Sequence, residues 1–161
     1  YGDVIYTERT KRGLPEVRKN SNAVGAALRI EFGDDIIAKR LAELIEQARS
    51  QKLLQKILID GLRHPTEVAW LRENLGARTI GINASQEVRF GRMLRRNRSV
   101  DPKSLEAFRE IDEEDRGIPL IEHRNQSDGC LQVADIVIEN NSEDVASYIK
   151  KFHEALTSLG I

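Results

Sequence analysis

The chain has 161 residues, of which 40% are hydrophobic and 32% charged, a composition typical of one globular domain with a sizeable core. Lys and Arg total 25 and Asp and Glu total 26, which leaves a net charge of -1 and argues against nucleic acid as a partner. No apolar run approaches the roughly 20 residues of a membrane helix, so no membrane partner is expected either. Cys130 is the one cysteine, which excludes a disulfide framework, and a cytoplasmic location is predicted.

Apolar spacing, capping residues and stop signals predict a series of helices along the chain. The clearest pattern follows Asp34 and Asp35, which occupy N-cap positions ahead of Ile36, Ile37 and Leu41. The predicted helices cover residues 2–12, 22–32 and 34–45, follow Pro65 and Ser85, begin at Asp101, and run from the cap Ser142 to about Leu159.

Three short apolar runs, 56–61, 78–83 and 134–139, alternate with these helices and are predicted to be strands. Residues 117–129 show little pattern and are predicted to be a mobile loop. Alternation of strands and helices predicts an α/β fold with a parallel sheet and right-handed crossovers. Ligands of such sheets bind outside the carboxyl ends of the strands, which places the residues that end the first two runs on the functional edge.

The segment Asp60-Gly61-Leu62-Arg63 ends the first predicted strand. A carboxylate there can hold a hydrated magnesium ion, directly or through water. The glycine allows a ligand to approach the backbone, and the arginine offers two parallel donors to a phosphate. The alternative interpretation is an acid that caps a helix, followed by a surface arginine.

Five arginines fall within ten residues with no acid among them: Arg89, Arg92, Arg95, Arg96 and Arg98. Arg92 and Arg96 share one helical face. Such a cluster favours a polyphosphate as its partner. Two alternatives stay open, a solvated face balanced by the acids of 106–115, or nucleic-acid binding, against which the scarcity of nearby aromatic residues speaks.

Further along the chain, Asp112 is spaced to pair with Arg109 or Arg116, either as a surface salt-bridge network or in a segment that closes over a ligand. Arg29 stands among apolar neighbours and is predicted to line a cleft. Trp70, Phe90 and Phe108 are predicted core residues, His64 is predicted to begin a helix, and Cys130 is assigned no role.

Taken together, these segments resemble the P-loop nucleoside monophosphate kinase group, in particular its uncharacterised adenylate-kinase-like and dephospho-coenzyme-A-kinase-like archaeal and bacterial members. The resemblance rests on the order of several short motifs. They are G-D-V-I at 2–5 with K-R-G at 11–13, D-G-L-R at 60–63, R-x-x-x-R at 92–96, D-P at 101–102 with Phe108 and Asp112, and A-D at 134–135.

This resemblance implies a three-layer fold around a parallel sheet and ATP-dependent phosphoryl transfer to a small phosphate-bearing acceptor. By the same resemblance Asp3, Arg29 and Arg63 bind the acceptor, Arg92 and Arg96 hold ATP as catalytic arginines, and Arg109 and Arg116 belong to a lid. Asp60 supports catalysis through magnesium. The implied subdivision is 1–50 for acceptor helices, 56–98 for the core, 99–130 for the lid and 131–161 for the last strand and helix.

The sequence departs from that family chiefly in that it contains no G-x-x-x-x-G-K-[ST] loop for the donor phosphates. Tyr6 also stands where adenylate kinases usually carry an acceptor-binding arginine. Because the chain begins at Tyr1, the sequence is expected to be a fragment of a longer protein, lacking its first strand and phosphate loop and inactive as it stands. A fused or partner domain is compatible with this expectation. The alternatives are a non-catalytic nucleotide-binding or protein-interaction module and, with less support, a dephospho-coenzyme-A kinase.

Overall fold

The computed structural model describes residues 2–50, 57–98 and 101–161. Helices make up most of it, and two short strands form the sheet. In chain order the elements are α1 (Gly2–Lys11), α2 (Arg18–Phe32), α3 (Ile36–Ser50), α4 (Pro65–Leu75), β1 (Ile80–Asn83), α5 (Gln86–Arg96), α6 (Leu105–Arg116), α7 (Ser127–Val133), β2 (Ile136–Glu139) and α8 (Val145–Ser158).

Helices α1 to α4 form what we call the helical half. Helices α1, α2 and α3 pack against one another, and α4 packs on α3. Apolar residues spaced four apart give α2 and α3 one inward face each. Those faces meet Val4 and Ile5 of α1 in one buried cluster, whose other members are Val24, Leu28, Ile37 and Leu41.

The strands β1 and β2 with α5, α6 and α8 form what we call the sheet half. The strands are parallel, with Ile80 opposite Ile136 and Asn83 opposite Glu139. Helix α8 packs on β2, while α7 contacts β1, α4 and α6 and so joins the two halves. Gly81 permits the close approach of α7, because a Cβ on it would lie 2.9 Å from Leu131 Cδ2. The predicted α/β class and parallel pairing are confirmed at this level.

The predicted strand at 56–61 is wrong over its described part, and Lys56 lies outside the described residues. Residues 57–64 form no strand. Ile59 packs against the helical core, but Leu58 is 87% exposed. No described strand runs beside this segment, so its backbone has no ladder to join.

The predicted loop at 117–129 also needs correction, because α7 begins within it. The start of α7 is fixed by tertiary packing, which the spacing of apolar residues in the sequence does not reveal. A Cβ on Gly129, for example, would lie 3.1 Å from the Pro65 ring at the start of α4.

Two predicted N-caps have different outcomes. The Ser85 side chain accepts a hydrogen bond from the Val88 backbone and caps α5, as predicted. Asp144, and not Ser142, caps α8 by accepting from the Ala146 backbone at 3.0 Å. Ser142 accepts from the Asp144 backbone instead, in a turn ahead of the helix. Among the described residues, no helix has the length and apolar character needed to cross a membrane.

Candidate functional site

A polar cavity of about 480 Å³ opens where β1 and β2 end, between the start of α5 and the end of α6. Parallel sheets bind their ligands at this edge, and the volume is that of a small-molecule site. Its polar lining comes from both strand ends and both helices: Asn83, Ser85, Gln86, Arg89, Asp112, Glu113, Arg116, Glu139 and Asn141. A second concavity, of about 590 Å³, is lined by α8 alone and is a groove on one exposed helix face.

The mouth of the cavity is fixed by hydrogen bonds between the two segments that leave the strands. Asn83 Nδ2 donates to Glu139 Oε1 at 2.9 Å, and the Ser85 backbone donates to Asn141 Oδ1 at 2.7 Å. The Asn140 backbone donates to the Asn83 carbonyl at 2.8 Å. These bonds leave the amide and carboxylate groups preorganised on one rim.

Arg89 and Asp112 form the charged wall of the cavity. Two guanidinium nitrogens of Arg89 donate to the Asp112 carboxylate at 2.9 and 2.5 Å, and Gln86 Nε2 adds a third bond at 3.1 Å. Arg89 also donates to the Ala84 carbonyl. Partial burial works against ionisation of Asp112, but the bonds from Arg89 and Gln86 outweigh it, and the pKa of Asp112 lies below its usual value.

The predicted pairing of Asp112 with Arg109 or Arg116 is therefore wrong, since Asp112 pairs with Arg89 across the α5–α6 contact. Arg109 donates to Gln86 Oε1 at 3.2 Å, and Arg116 pairs with Asp128 at 2.7 Å. Of the two predicted lid arginines, only Arg116 lines the cavity. The spacing along α6 could not reveal that the partner of Asp112 lies on another helix, α5.

Arg92 and Arg96 do not converge on one site in the described structure. Arg92 donates to the carbonyls of Asn140 and Ser142 at 2.9 and 2.8 Å, just beyond β2. Arg96 instead forms two bonds of 2.8 Å to Asp101. The bond from Arg96 holds the pKa of Asp101 below its usual value. Part of the arginine cluster is thus neutralised within the protein. Arg89 pairs with Asp112, one of the acids that the balanced-face alternative named, whereas the partner of Arg96, Asp101, lies outside them.

The acceptor residues predicted near the helical half differ in environment. Asp3 is exposed in the first turn of α1, and Asp60 is exposed in the 57–64 segment. Arg63 is half-buried, and its side chain has no ion pair with any described residue. Over the residues that the structure describes, no three His, Cys, Asp or Glu side chains form a metal-binding group. A magnesium role for Asp60 stays a prediction.

Arg29 lies inside the helical half, so the predicted cleft position is wrong. It is 1% exposed and donates to Glu67 Oε1 at 2.8 and 3.3 Å and to the His123 carbonyl at 3.2 Å. Burial raises the pKa of Glu67, while the charge and bonds of Arg29 oppose that rise. The other Glu67 oxygen accepts from the Arg63 and His64 backbones, so the pair also fixes the start of α4.

Sequence reasoning missed a group formed by Asp34, His64 and His123. His123 Nδ1 lies 2.8 Å from Asp34 Oδ1, and His64 Nε2 lies 3.9 Å from Asp34 Oδ2. The three residues are far apart in sequence, and only the packing of α2, α4 and the segment before α7 brings them together. His64 begins α4, as predicted. Cys130 is half-buried, and its partial burial, followed by the nearby charge of Glu67, raises its pKa to about 12, which disfavours the reactive thiolate.

By its fold and cavity, the chain is an α/β protein with a ligand-sized cavity at the carboxyl ends of its parallel strands. The chain is 36% identical over 143 residues to a UPF0200 protein of Methanosarcina barkeri, covering 88% of this chain and 71% of that protein. A UPF0200 protein of Hyperthermus butylicus is 32% identical over 162 residues, which are 99% of this chain and 81% of that one. The chain belongs to the UPF0200 family. No protein-family model and no solved structure matches it.

Proposed function

We propose that this chain is a nucleotide-binding domain of the nucleoside monophosphate kinase type, which uses ATP and magnesium to phosphorylate a small phosphate-bearing acceptor. The observation that carries the proposal is the polar cavity at the carboxyl ends of β1 and β2, with Arg89 and Arg116 on its wall. Guanidinium groups beside a polar, ligand-sized cavity suit a phosphate ester better than a neutral ligand.

Phosphoryl transfer depends mainly on positioning and on neutralising the charge of the phosphates. Arg116 reaches Asp128 at 2.7 Å with a quarter of its side chain exposed. A phosphate in the cavity could replace that carboxylate as its partner without unfolding α6. Arg92 lies on the next turn of α5 and contacts the segment after β2. From that position it would approach the same ligand.

The acceptor would bind near Arg63, with Asp3 and Asp60 on the same side of the molecule by family resemblance. Arg63 supports this assignment because its side chain has no ion pair in the described residues, whereas Arg29 is fully engaged by Glu67. Asp60 would support magnesium, which supplies charge neutralisation between the phosphates. In this scheme Arg29 acts on the acceptor only through the backbone of Arg63, which Glu67 holds.

The three-layer sheet belongs to the same proposal. Its support is the edge of β1 that no described strand pairs, together with the exposed apolar side chains Ile82 (48%) and Leu58 (87%). A further parallel strand would pair the free edge of β1.

The test measures nucleotide binding and product formation separately. Titration calorimetry with ADP and ATP is run on the 161-residue chain and on the complete product of its reading frame. The complete product is then assayed for ADP release with a panel of nucleoside monophosphates and with dephospho-coenzyme A. Binding together with monophosphate-dependent ADP release is the expected result.

Two arginines make a matched pair for this test. Arg116 lines the cavity and pairs with Asp128 at 2.7 Å, whereas Arg95 pairs with Glu143 at 2.7 Å on the exposed side of α5. Losing one charged contact to phosphate should weaken ATP binding about ten- to hundredfold in Arg116→Ala. Arg95→Ala should bind as the wild type does. Equal affinity in both variants would remove the cavity from the proposal.

The non-catalytic module is the second candidate, favoured by the absence of the G-x-x-x-x-G-K-[ST] motif from the given sequence. It predicts nucleotide binding by the complete product with no ADP release for any acceptor. Preference for dephospho-coenzyme A over the monophosphates would instead favour the bulkier acceptor. No binding of nucleotide by either protein would overturn both candidates.

A further inference from the structure

Asp34, His64 and His123 meet where three separate parts of the chain converge. Asp34 lies in the turn between α2 and α3, His64 is the N-cap of α4, and His123 lies in the segment between α6 and α7. The Asp34 carboxylate is shared unequally, at 2.8 Å from His123 Nδ1 and 3.9 Å from His64 Nε2. One carboxylate thus faces two imidazole rings, of which only one is in hydrogen-bond contact.

The protonation state of His64 follows from its cap. The Thr66 backbone donates to His64 Nδ1, so the neutral ring carries its proton on Nε2. Nε2 is buried and has no hydrogen-bond partner among the residues that the structure describes, and the residue is 4% exposed. A second proton on this ring would remove the hydrogen bond that Nδ1 accepts from the Thr66 backbone, and it would place a charge in a buried position.

The segment 118–126 is held against the helical half around this group. The Arg29 guanidinium donates to the His123 carbonyl at 3.2 Å, and the Gln126 backbone donates to the Arg63 carbonyl at 2.7 Å. His123 has a φ of 63°, a backbone conformation that residues with side chains rarely adopt, so these contacts must hold it there.

A protonated His64 would lie near two carboxylates that already have other partners. Asp34 and Glu67 supply negative charge, and Glu67 is already engaged by Arg29 at 2.8 Å. Asp34 is engaged by His123. The ionisable groups that face or adjoin His64 are Asp34, Arg29, Glu67, His123 and, next to Glu67, Cys130.

We propose that His64, Asp34 and His123 form a proton-sensitive latch, which holds residues 118–126 against the α2–α3 turn near neutral pH and releases them when His64 gains a proton. Release frees the imidazolium to reach water and leaves Arg29 with its Glu67 partner. His123 keeps its 2.8 Å contact with Asp34 while the latch is closed. The inference does not depend on the proposed kinase activity.

The sign of the pH dependence follows from where His64 is buried. Burial lowers its pKa below the ordinary histidine value of 6.5; Asp34 opposes this, and Arg29 and His123 add to it. In the open latch the ring meets water and its pKa returns to the ordinary value. Closure is therefore fully favoured above that value, and below it the opening equilibrium rises about tenfold per pH unit until the pKa of the closed form is reached.

Amide hydrogen exchange across 118–126, corrected for intrinsic rates, tests the latch at about pH 7.5, 6.5 and 5.5. Helix α8 provides the internal reference. His64→Asn keeps an N-cap acceptor but cannot titrate, and His153→Asn, on the exposed face of α8, is its matched control. As the pH is lowered, the exchange protection of 118–126 should decrease in the wild type and in His153→Asn, and it should stay constant in His64→Asn.

A proton NMR titration of the three histidines answers the same question without any variant. His64 should titrate below the ordinary histidine value of 6.5, and the signals of 118–126 should shift with the His64 midpoint. The proposal is overturned if His64 titrates at that ordinary value, or if 118–126 loses no more protection than α8. It is equally overturned if His64→Asn keeps the wild-type pH dependence.

Discussion

The helical half and the sheet half use arginine in opposite ways. In the helical half, Arg29 is fully buried and its partners are Glu67 and the His123 carbonyl. In the sheet half, Arg92 and Arg116 are partly exposed, and they contact loop carbonyls and a carboxylate beside the cavity. A buried pair cannot exchange its partner for a ligand without exposing a charge to an apolar interior, whereas a surface pair can.

This contrast teaches that an arginine among apolar residues is a poor indicator of a ligand site. The buried pair of the helical half contributes to the unique positioning of α2 against α4. The surface pairs of the sheet half contribute little to stability and leave guanidinium groups at the cavity. Substitutions in each half, followed by unfolding measurements, test whether the two halves differ in this way.

The largest effect is expected from Glu67→Gln in the helical half. This substitution breaks a buried ion pair, in which Arg29 and Glu67 are in contact at 2.8 Å, and it should lower the free energy of unfolding by about 3–5 kcal/mol. Urea denaturation measures this change. Glu46→Gln is the matched control, because the Arg49–Glu46 pair has a similar contact of 2.9 Å but is largely exposed. Similar losses in both variants would contradict a special role for the buried pair.

An intermediate effect is expected where α7 meets the sheet half. Gly81→Val should cost about 1–3 kcal/mol, because its Cβ would lie 2.9 Å from Leu131 Cδ2 and force α7 away from β1. Gly91→Ala is the contrast, since a Cβ there would meet no other described part of the chain within 4 Å beyond its own helix backbone, and alanine favours a helix over glycine. Thermal unfolding should show opposite signs for the two variants; a stable Gly81→Val would mean that α7 does not pack as closely as described.

The smallest effect is expected at the start of α8. Asp144→Ala should cost about 1 kcal/mol because α8 loses its N-cap. Ser142→Ala should cost less, since only a turn ahead of the helix loses an acceptor. Chemical denaturation of the two variants ranks them, and the reverse order would return the cap to Ser142.

Local chemistry explains which features the sequence predicted correctly. Ser85 before an amphipathic run and Pro65 after His64 act on adjacent backbone, so their helices begin where predicted. The strands at β1 and β2 were also predicted within two residues of their observed ends. The 57–61 run has the same apolar character, yet it lacks a described neighbour and forms no strand, because strand formation requires a partner.

The site was harder to predict because its members meet only in the folded chain. Gln86, Arg89 and Asp112 converge from two helices, and nothing in the spacing of Asp112 distinguishes Arg89 from Arg109 as its partner. The same holds for Glu67 with Arg29, where the apolar neighbours of Arg29 indicated burial but not the counterion. Sequence patterns predicted the sheet edge; side-chain partners depended on helix packing.

The pairing of β1 with β2 has a consequence for the order of folding. Paired residues are 56 positions apart in sequence, and α5, α6 and α7 lie between them. Closing so long a connection is entropically slow compared with docking α1, α2 and α3, which are neighbours along the chain. During synthesis the helical half can therefore acquire its core before β2 has left the ribosome, and β1 must wait for its partner.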